Sequence, residues 1–241
     1  EVKALIFAAG YSERMRPLTE HTPKPLLEAG GKSLIVRHLE KLAAAGATDV
    51  AINTSWLATR FPEALGDGSR WGLRLHYSVE GPVPLETGGG MLNVLPWLRD
   101  EGGGNGAFLA VNGDIYSDVD YAALPLDIDG DAHLVLVDNP PHHPRGDFLL
   151  DRDGRVHADG EPRLTFSGIG VYRPSLFDGW RDAFAGRPGA SEHPPRFPIA
   201  PLLRAAMVRG AASGQHHRGS WTDVGTPERL AALDTALRQQ D

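Results

Sequence analysis

The 241-residue chain contains no cysteine. That absence excludes a disulfide framework, a thiolate zinc site and a cysteine nucleophile together, so a bound metal must rely on oxygen or imidazole ligands. Positive charge is scarce as well: 24 lysines and arginines against 31 aspartates and glutamates leave a formal net charge of −7. General nucleic-acid binders present a basic face. No nucleic-acid partner is therefore expected, and any polyanion must be held by local groups. Long apolar runs are missing too. Glu1-Val2-Lys3-Ala4-Leu5-Ile6-Phe7 is too short and too acidic for a secretory signal, and nothing later approaches the roughly 18 apolar residues of a membrane span. The expectation is a cytoplasmic protein with no membrane partner. The motifs GxxxxGK[ST], GxGxxG, GxSxG and HExxH are all absent, which removes the P-loop, the dinucleotide fingerprint, the hydrolase elbow and the helical zinc protease site.

What is present is a hydrophobic content of 41%, which suits a globular core in a chain long enough for one large α/β domain or two small ones. Short β-branched runs alternate with helical patterns, which predicts a parallel sheet with crossover helices. Strands are expected at Lys3–Ala8, Val50–Asn53, Leu73–Tyr77, Ala107–Val111, His133–Val137 and Leu164–Val171. Between the first two, Ser33 can cap a helix whose Leu34, Ile35, Leu39 and Leu42 share a face and which Gly46 ends. Further helices are expected at Gly88–Leu98, Pro198–Arg209 and Pro227–Gln239, the last capped by Thr226. Asp100–Gly106 and Arg187–Arg196 read as surface loops, and Asp138–Pro162 as a small subregion over one end of the sheet. No composition shift marks a linker, so a single domain over residues 1–241 is expected.

Four segments carry chemistry. The first strand runs into Ala8-Ala9-Gly10-Tyr11-Ser12-Glu13-Arg14-Met15-Arg16-Pro17, with Pro23-Lys24-Pro25 following. Ligands of open α/β sheets bind at the carboxyl ends of strands, where small residues let backbone N–H groups approach phosphate and Arg14, Arg16 and Lys24 could neutralise it. An ordinary turn with solvated arginines is the alternative. The second segment, Val111-Asn112-Gly113-Asp114, puts a carboxylate where Mg²⁺ could sit beside a triphosphate; a turn aspartate is the bland reading. The third, Trp221-Thr222-Asp223-Val224-Gly225-Thr226, offers a second carboxylate that only the fold could bring to the first. The fourth, Glu80 to Gly90, opens a helix with three glycines, suited to a flat base or a phosphate or simply to a turn. Adjacent histidines such as His142-His143 and His216-His217 point to opposite faces of an extended segment and are read as loop residues, not as a zinc site.

Taken together, these segments resemble the sugar-1-phosphate nucleotidyltransferase family, whose signature joins an AAGxGxRxxPLT…PKP start, a GD metal site and a late D-x-G-T. They stand here as Ala8–Thr19 with Pro23–Pro25, Asn112–Asp114 and Asp223–Thr226. PLETGGG at Pro84–Gly90, HLVLVDNP at His133–Pro140, RGDF at Arg145–Phe148, LTFSGI at Leu164–Ile169, APLLR at Ala200–Arg204 and WTDVGT at Trp221–Thr226 resemble, within that family, the uridylyltransferases that act on N-acetylmuramate α-1-phosphate in peptidoglycan recycling. Similar strings occur in mannose-1-phosphate guanylyltransferases, and glucose-1-phosphate thymidylyltransferases share the fold.

The resemblance implies a Rossmann-like mixed, mostly parallel sheet flanked by helices, the nucleotide-diphospho-sugar transferase fold. It implies a nucleoside triphosphate and a sugar 1-phosphate as substrates, with Mg²⁺ as cofactor. Nucleotide contacts fall on Ala8, Ala9, Gly10, Ser12, Arg14, Lys24, Glu80, Gly88, Gly89 and Asn112; Arg14, Lys24, Asp114 and Asp223 carry catalysis, with Asp114 and Asp223 on the metal. Gly146, Asp147, Ser167 and Gly168 are assigned to the sugar 1-phosphate. Ser12 stands where the family has glycine, and Glu161-Pro162-Arg163 replaces the E-K-P element of many hexose members. No appended β-helix domain is expected, and a monomer is. The rival of another class is a nucleotide-binding regulatory module without catalysis.

Overall fold

The computed structural model describes residues 2–99 and 105–240; most of the expected loop at 100–106 lies outside them. In chain order the main elements begin with strand β1 (Val2–Ala8), helix α1 (Leu34–Ala44), β2 (Ala47–Thr54), β3 (Arg74–Val79), α2 (Glu86–Leu98) and β4 (Phe108–Asn112). They continue with β5 (Ile115–Ser117), β6 (Ala132–Val137), β7 (Thr165–Tyr172), α3 (Ala200–Val208), β8 (Ala212–His216), β9 (Trp221–Asp223) and α4 (Pro227–Arg238). The chain divides into two compact units, one of Glu1–Pro84, Asn112–Ala123 and Gly219–Asp241, the other of Leu85–Val111 and Leu124–Arg218.

In the first unit β1, β2 and β3 are parallel neighbours in that order. Val50, Ala51 and Ile52 are fully buried, as a strand covered on both faces requires, so β2 reads as a continuous apolar run. Helix α1 makes the crossover. The Ser33 hydroxyl accepts from the Val36 N–H at 3.3 Å, satisfying one of the orphan donors of the first turn. Its Leu34, Ile35, His38, Leu39 and Leu42 are buried, a stripe of helical period, and Gly46 at φ 85° supplies the left-handed stop. A short antiparallel pair, β5 with β9, joins residues about a hundred apart: Ser117 opposes Trp221 and Ile115 opposes Asp223. Helix α4 starts as expected, with Pro227 in its first turn and the Thr226 hydroxyl accepting from Arg229 N–H at 3.2 Å.

The second unit orders its strands β8-β6-β7-β4, with β8 parallel to β6 and β7 antiparallel to both β6 and β4. Ala132 to Val137 are all buried. The segment Asp138–Pro162 carries a two-stranded ribbon, Leu149–Leu150 with Val156–His157, and Arg187–Arg196 holds neither helix nor strand. Leaving aside the strands of two or three residues, three parallel pairings (β1–β2, β2–β3 and β6–β8) stand against two antiparallel ones (β6–β7 and β4–β7), so the architecture is the mixed, mostly parallel α/β class read from the sequence. Strand β8, with the sequence Ala-Ser-Gly-Gln-His, was not anticipated because it lacks an apolar run.

Candidate active site

The ends of β1, β2 and β3 are level, Ala8 opposite Thr54 and Thr54 opposite Val79. From this edge Ala9 and Gly10 lead into the signature loop, and a Cβ built on Gly10 would meet nothing within 4 Å. Ser12 sits at φ 57°, ψ 44°, the left-handed region that glycine enters without penalty and that costs other residues roughly 1–2 kcal/mol. A glycine here would escape that cost, and Ser12 bears it. Thr19 Oγ1 holds the turn by donating to the Ser12 carbonyl at 2.9 Å, and Trp56 Nε1 donates to the Thr19 carbonyl at 2.9 Å. The Tyr11 hydroxyl donates to the Pro82 carbonyl.

Arg14 and Arg16 are exposed, and Met15 between them is fully buried. Met15 packs with Ala29, Leu34, Val224, Leu230, Leu233 and Leu237. This apolar cluster anchors the loop to α4 and presents Arg14 outward, and it also seats Val224, the neighbour of Asp223. A Cβ at Gly225 would collide with the Arg229 guanidinium and lie 3.6 Å from that of Arg14, so Arg14 stands beside the Asp223 turn.

The two carboxylate-bearing segments, far apart in sequence, do pair through their backbones. The β5–β9 ladder continues through the Val224 N–H donating to the Asp114 carbonyl at 3.0 Å, so Asp114 and Asp223 come from adjoining ends of paired strands. Gly113 N–H donates to the Phe7 carbonyl at 2.9 Å, and a Cβ at Gly113 would lie 2.8 Å from that oxygen; only glycine lets the chain pass so close to β1 before Asp114. Lys24 Nζ, almost wholly buried, reaches Asp114 Oδ2 at 3.1 Å. Arg229 was not singled out from the sequence. Its Nε donates to the Asp223 carbonyl at 3.0 Å and its Nη2 approaches Asp223 Oδ2 at 3.5 Å, and its place three residues after the Thr226 cap, in the first turn of α4, was the available signal.

As a donor set this suits Mg²⁺, which takes one or two protein carboxylates and completes its octahedron with phosphate oxygens and water. Among the described residues no group of three or more acidic or imidazole side chains is assembled. Glu80 follows β3 directly, nearly buried, its N–H donating to the Thr54 carbonyl at 2.8 Å. Asn112 ends β4 and is half-buried.

The remaining expected residues lie in the second unit, and there the structure supplies packing reasons. A Cβ at Gly88 would fall 2.5 Å from the Phe197 ring, and one at Gly89 would strike the Pro195 carbonyl; Gly89 N–H itself donates to the Phe197 carbonyl at 3.0 Å. Both carboxylate oxygens of Asp147 are engaged, Oδ1 with His143 Nε2 at 2.9 Å and Oδ2 with the Phe166 N–H at 2.8 Å. Gly146 and Gly168 have φ of 66° and 82°, and Gly168 lies in the register shift between Phe166 and Ile169, a bulge position. Ser167 is buried, its hydroxyl accepting from the Ile169 N–H at 3.1 Å.

Residues 3–148 match the family described as Nucleotidyl transferase. The chain is similar to an N-acetylmuramate alpha-1-phosphate uridylyltransferase of Neisseria meningitidis, 46% identical over 238 residues that cover 95% of each chain. It is also similar to a mannose-1-phosphate guanylyltransferase of Mycobacterium tuberculosis, 39% identical over 95% of this chain and 62% of that one. Among solved structures, one named for a glucose-1-phosphate thymidylyltransferase of Bacillus anthracis superposes with a TM-score of 0.81 at 21% identity, covering 99% of this chain and 96% of the other. At that identity the likeness bears on the fold alone, which is the nucleotide-diphospho-sugar transferase fold.

Proposed function

The chain belongs to the nucleotidyl transferase family, and on that premise we propose that it converts UTP and N-acetylmuramate α-1-phosphate to UDP-N-acetylmuramate and pyrophosphate. The observation that carries the reading is the Lys24–Asp114 ion pair together with the backbone pairing that sets the Asp223 strand beside Asp114. The near full-length likeness to the Neisseria protein supports the choice of sugar and base. The whole chain is taken as one working domain, monomeric and cytoplasmic; no helix among the described residues is long and apolar enough to cross a membrane.

The sugar 1-phosphate oxygen attacks the α-phosphorus of the triphosphate in line, and the bond to the β-phosphate oxygen breaks to release pyrophosphate. The nucleophile is already an anion and needs no general base. The protein's task is to align two mutually repelling polyanions and to stabilise developing charge. Backbone N–H groups at Ala9, Gly10 and Ser12 approach phosphate oxygens across the open face at Gly10, and Arg14 and Lys24 neutralise them. Glu80 accepts from a base N–H, with Ala8 and Asn112 completing the nucleotide contacts. Gly146, Asp147, Ser167 and Gly168 are assigned to the sugar 1-phosphate, Asp147 through the loop it orders. Asp114 and Asp223 would hold Mg²⁺, which supplies Lewis-acid polarisation of phosphate oxygens when bound.

Pyrophosphate release should be measured with Mg²⁺ over UTP, GTP, dTTP and CTP against the 1-phosphates of N-acetylmuramate, mannose, glucose and N-acetylglucosamine. Dominance of UTP with N-acetylmuramate 1-phosphate is the expected result. Dominance of GTP with mannose 1-phosphate, the reading favoured by the Mycobacterium likeness, would replace the substrate and keep the reaction; no release with any pair would favour a binding module.

A further inference from the structure

Strand β5 is only three residues long, yet Asp114 immediately precedes it and Asp223 pairs with its first residue. One of its edges is bound by β9, through the Val224 N–H to the Asp114 carbonyl at 3.0 Å and the Asp118 N–H to the Ser220 carbonyl at 3.1 Å. Strand alternation turns the carbonyls of Ile115 and Ser117 to the other edge. No third strand pairs there among the described residues. Two side chains from one face of α1 take its place: His38 Nε2 lies 2.9 Å from the Ile115 carbonyl and Lys41 Nζ 3.0 Å from the Ser117 carbonyl.

The partners of His38 fix its tautomer. A carbonyl only accepts, so Nε2 carries the proton. Nδ1 is then an acceptor, and it faces the Tyr121 hydroxyl at 2.9 Å. Complete burial holds the imidazole neutral by pushing its pKa down to about 3, and burial raises that of Tyr121 well above its ordinary value, keeping the phenol a donor. The chain of donation therefore runs one way, from Tyr121 O–H to His38 and from His38 N–H to the strand. The two rings stack at 6.3 Å with planes 10° apart, and the Lys41 ammonium sits 4.1 Å from the Tyr121 ring centre.

We propose that His38 is a positioning residue for the carboxylate pair, binding the otherwise unpaired edge of β5 and so setting where Asp114 and Asp223 stand, with Lys41 as the second tether. The proposal rests on the reading of that pair as the cation-holding groups. His38 touches neither substrate nor metal in this role. Burial obliges both imidazole nitrogens to find partners, and here one of those directed bonds ends on the residue next to Asp114.

The test is Mn²⁺ binding to the protein–UTP complex, followed by water-proton relaxation, alongside melting temperatures. Groups that orient metal ligands typically change affinity by about 10- to 100-fold when removed, so His38→Leu is expected to weaken Mn²⁺ binding about tenfold or more. His38→Gln, whose amide retains a donor for Ile115, is expected to recover most of that loss. A His38→Leu protein that melts lower and binds Mn²⁺ as tightly as the wild type would overturn the proposal and leave packing alone. Should His38→Leu fail to fold, Lys41→Met is read in the same way at the Ser117 tether. Asp114→Ala separates the two readings: if it also binds Mn²⁺ with wild-type affinity, the metal assignment falls first and the positioning role with it.

Discussion

Gly88→Ala is the substitution on which helix propensity and packing disagree in sign. Gly88 lies in α2, where alanine is favoured over glycine by about 1 kcal/mol in a helix interior. The new methyl would stand 2.5 and 2.6 Å from two ring carbons of Phe197 and 2.9 Å from its carbonyl oxygen, about 0.9 Å short of ordinary contact at the closest point. Phe197 cannot easily yield. It is fully buried, with Trp180 stacked at 5.1 Å and Phe184 at 4.3 Å. Overpacking of a tight core costs about 1–3 kcal/mol, and a ring clamped on both sides belongs at the upper end. Against the propensity gain, the net expectation is a loss of about 2 kcal/mol, or roughly 4–8 °C in melting temperature for a chain of this size. Thermal unfolding followed by circular dichroism reads it directly. Gly10→Ala is the matched control, since its methyl meets nothing within 4 Å; it should stay within about 0.5 kcal/mol of the wild type while weakening triphosphate binding. A Gly88→Ala protein that melts at or above the wild-type temperature would refute the packing account of this glycine.

Other outcomes are expected elsewhere. Asp114→Ala and Asp223→Ala should each abolish Mg²⁺-dependent pyrophosphate release while remaining folded by circular dichroism, and full activity in either would remove that residue from the metal pair. Ser12→Gly should relieve the left-handed strain and raise stability by about 0.5–1 kcal/mol once the greater freedom of unfolded glycine is subtracted; a lower denaturation midpoint would show that the hydroxyl contributes more than the backbone strain costs. His38 takes up a proton in the unfolded chain below about pH 6.5 but in the folded chain only near 3, so the unfolded state binds more protons between them and stability falls as pH falls. The slope steepens from about 0.7 kcal/mol per pH unit at pH 6.5 toward about 1.4 near pH 5, and denaturant titrations between pH 6.5 and 5 should show it flattened in His38→Gln; an identical slope in wild type and variant would contradict the neutral, buried imidazole.

Much of the fold was legible because strands buried on both faces leave uninterrupted apolar runs. Val50-Ala51-Ile52 and His133 to Val137 announced β2 and β6 within a few residues of their observed ends, and Ser33, Gly46 and Thr226 marked helix ends through cap chemistry that is local in sequence. What failed to show was pairing that depends on a partner elsewhere. Strand β8 offers Ser213, Gly214 and Gln215 with no apolar period and is a strand because β6 lies beside it. Strands β5 and β9 are three residues each, too short for any pattern, and their ladder exists only because residues about a hundred apart meet. That the Asp114 and Asp223 segments pair could be surmised from the resemblance but not from spacing, and Arg229, which bonds Asp223, and His38, which bonds the Ile115 carbonyl, carry no motif at all.

Residue type alone does not separate a ligand contact from a packing need, and the glycines make the point. Gly10, Gly88 and Gly89 look alike in a chain of letters, each a small residue where a phosphate or base could come close. In the fold the space beside Gly10 is open, and that beside Gly88 and Gly89 is already filled by Phe197 and Pro195. Asp147 repeats the lesson with charge, since a carboxylate placed by resemblance in the sugar site has both oxygens engaged by His143 and the Phe166 amide. Its effect on the sugar 1-phosphate would then pass through the loop it orders, so Asp147→Asn should change binding of the sugar 1-phosphate together with local loop order. Gly10→Ala, by contrast, should change triphosphate binding and leave the loop's order untouched.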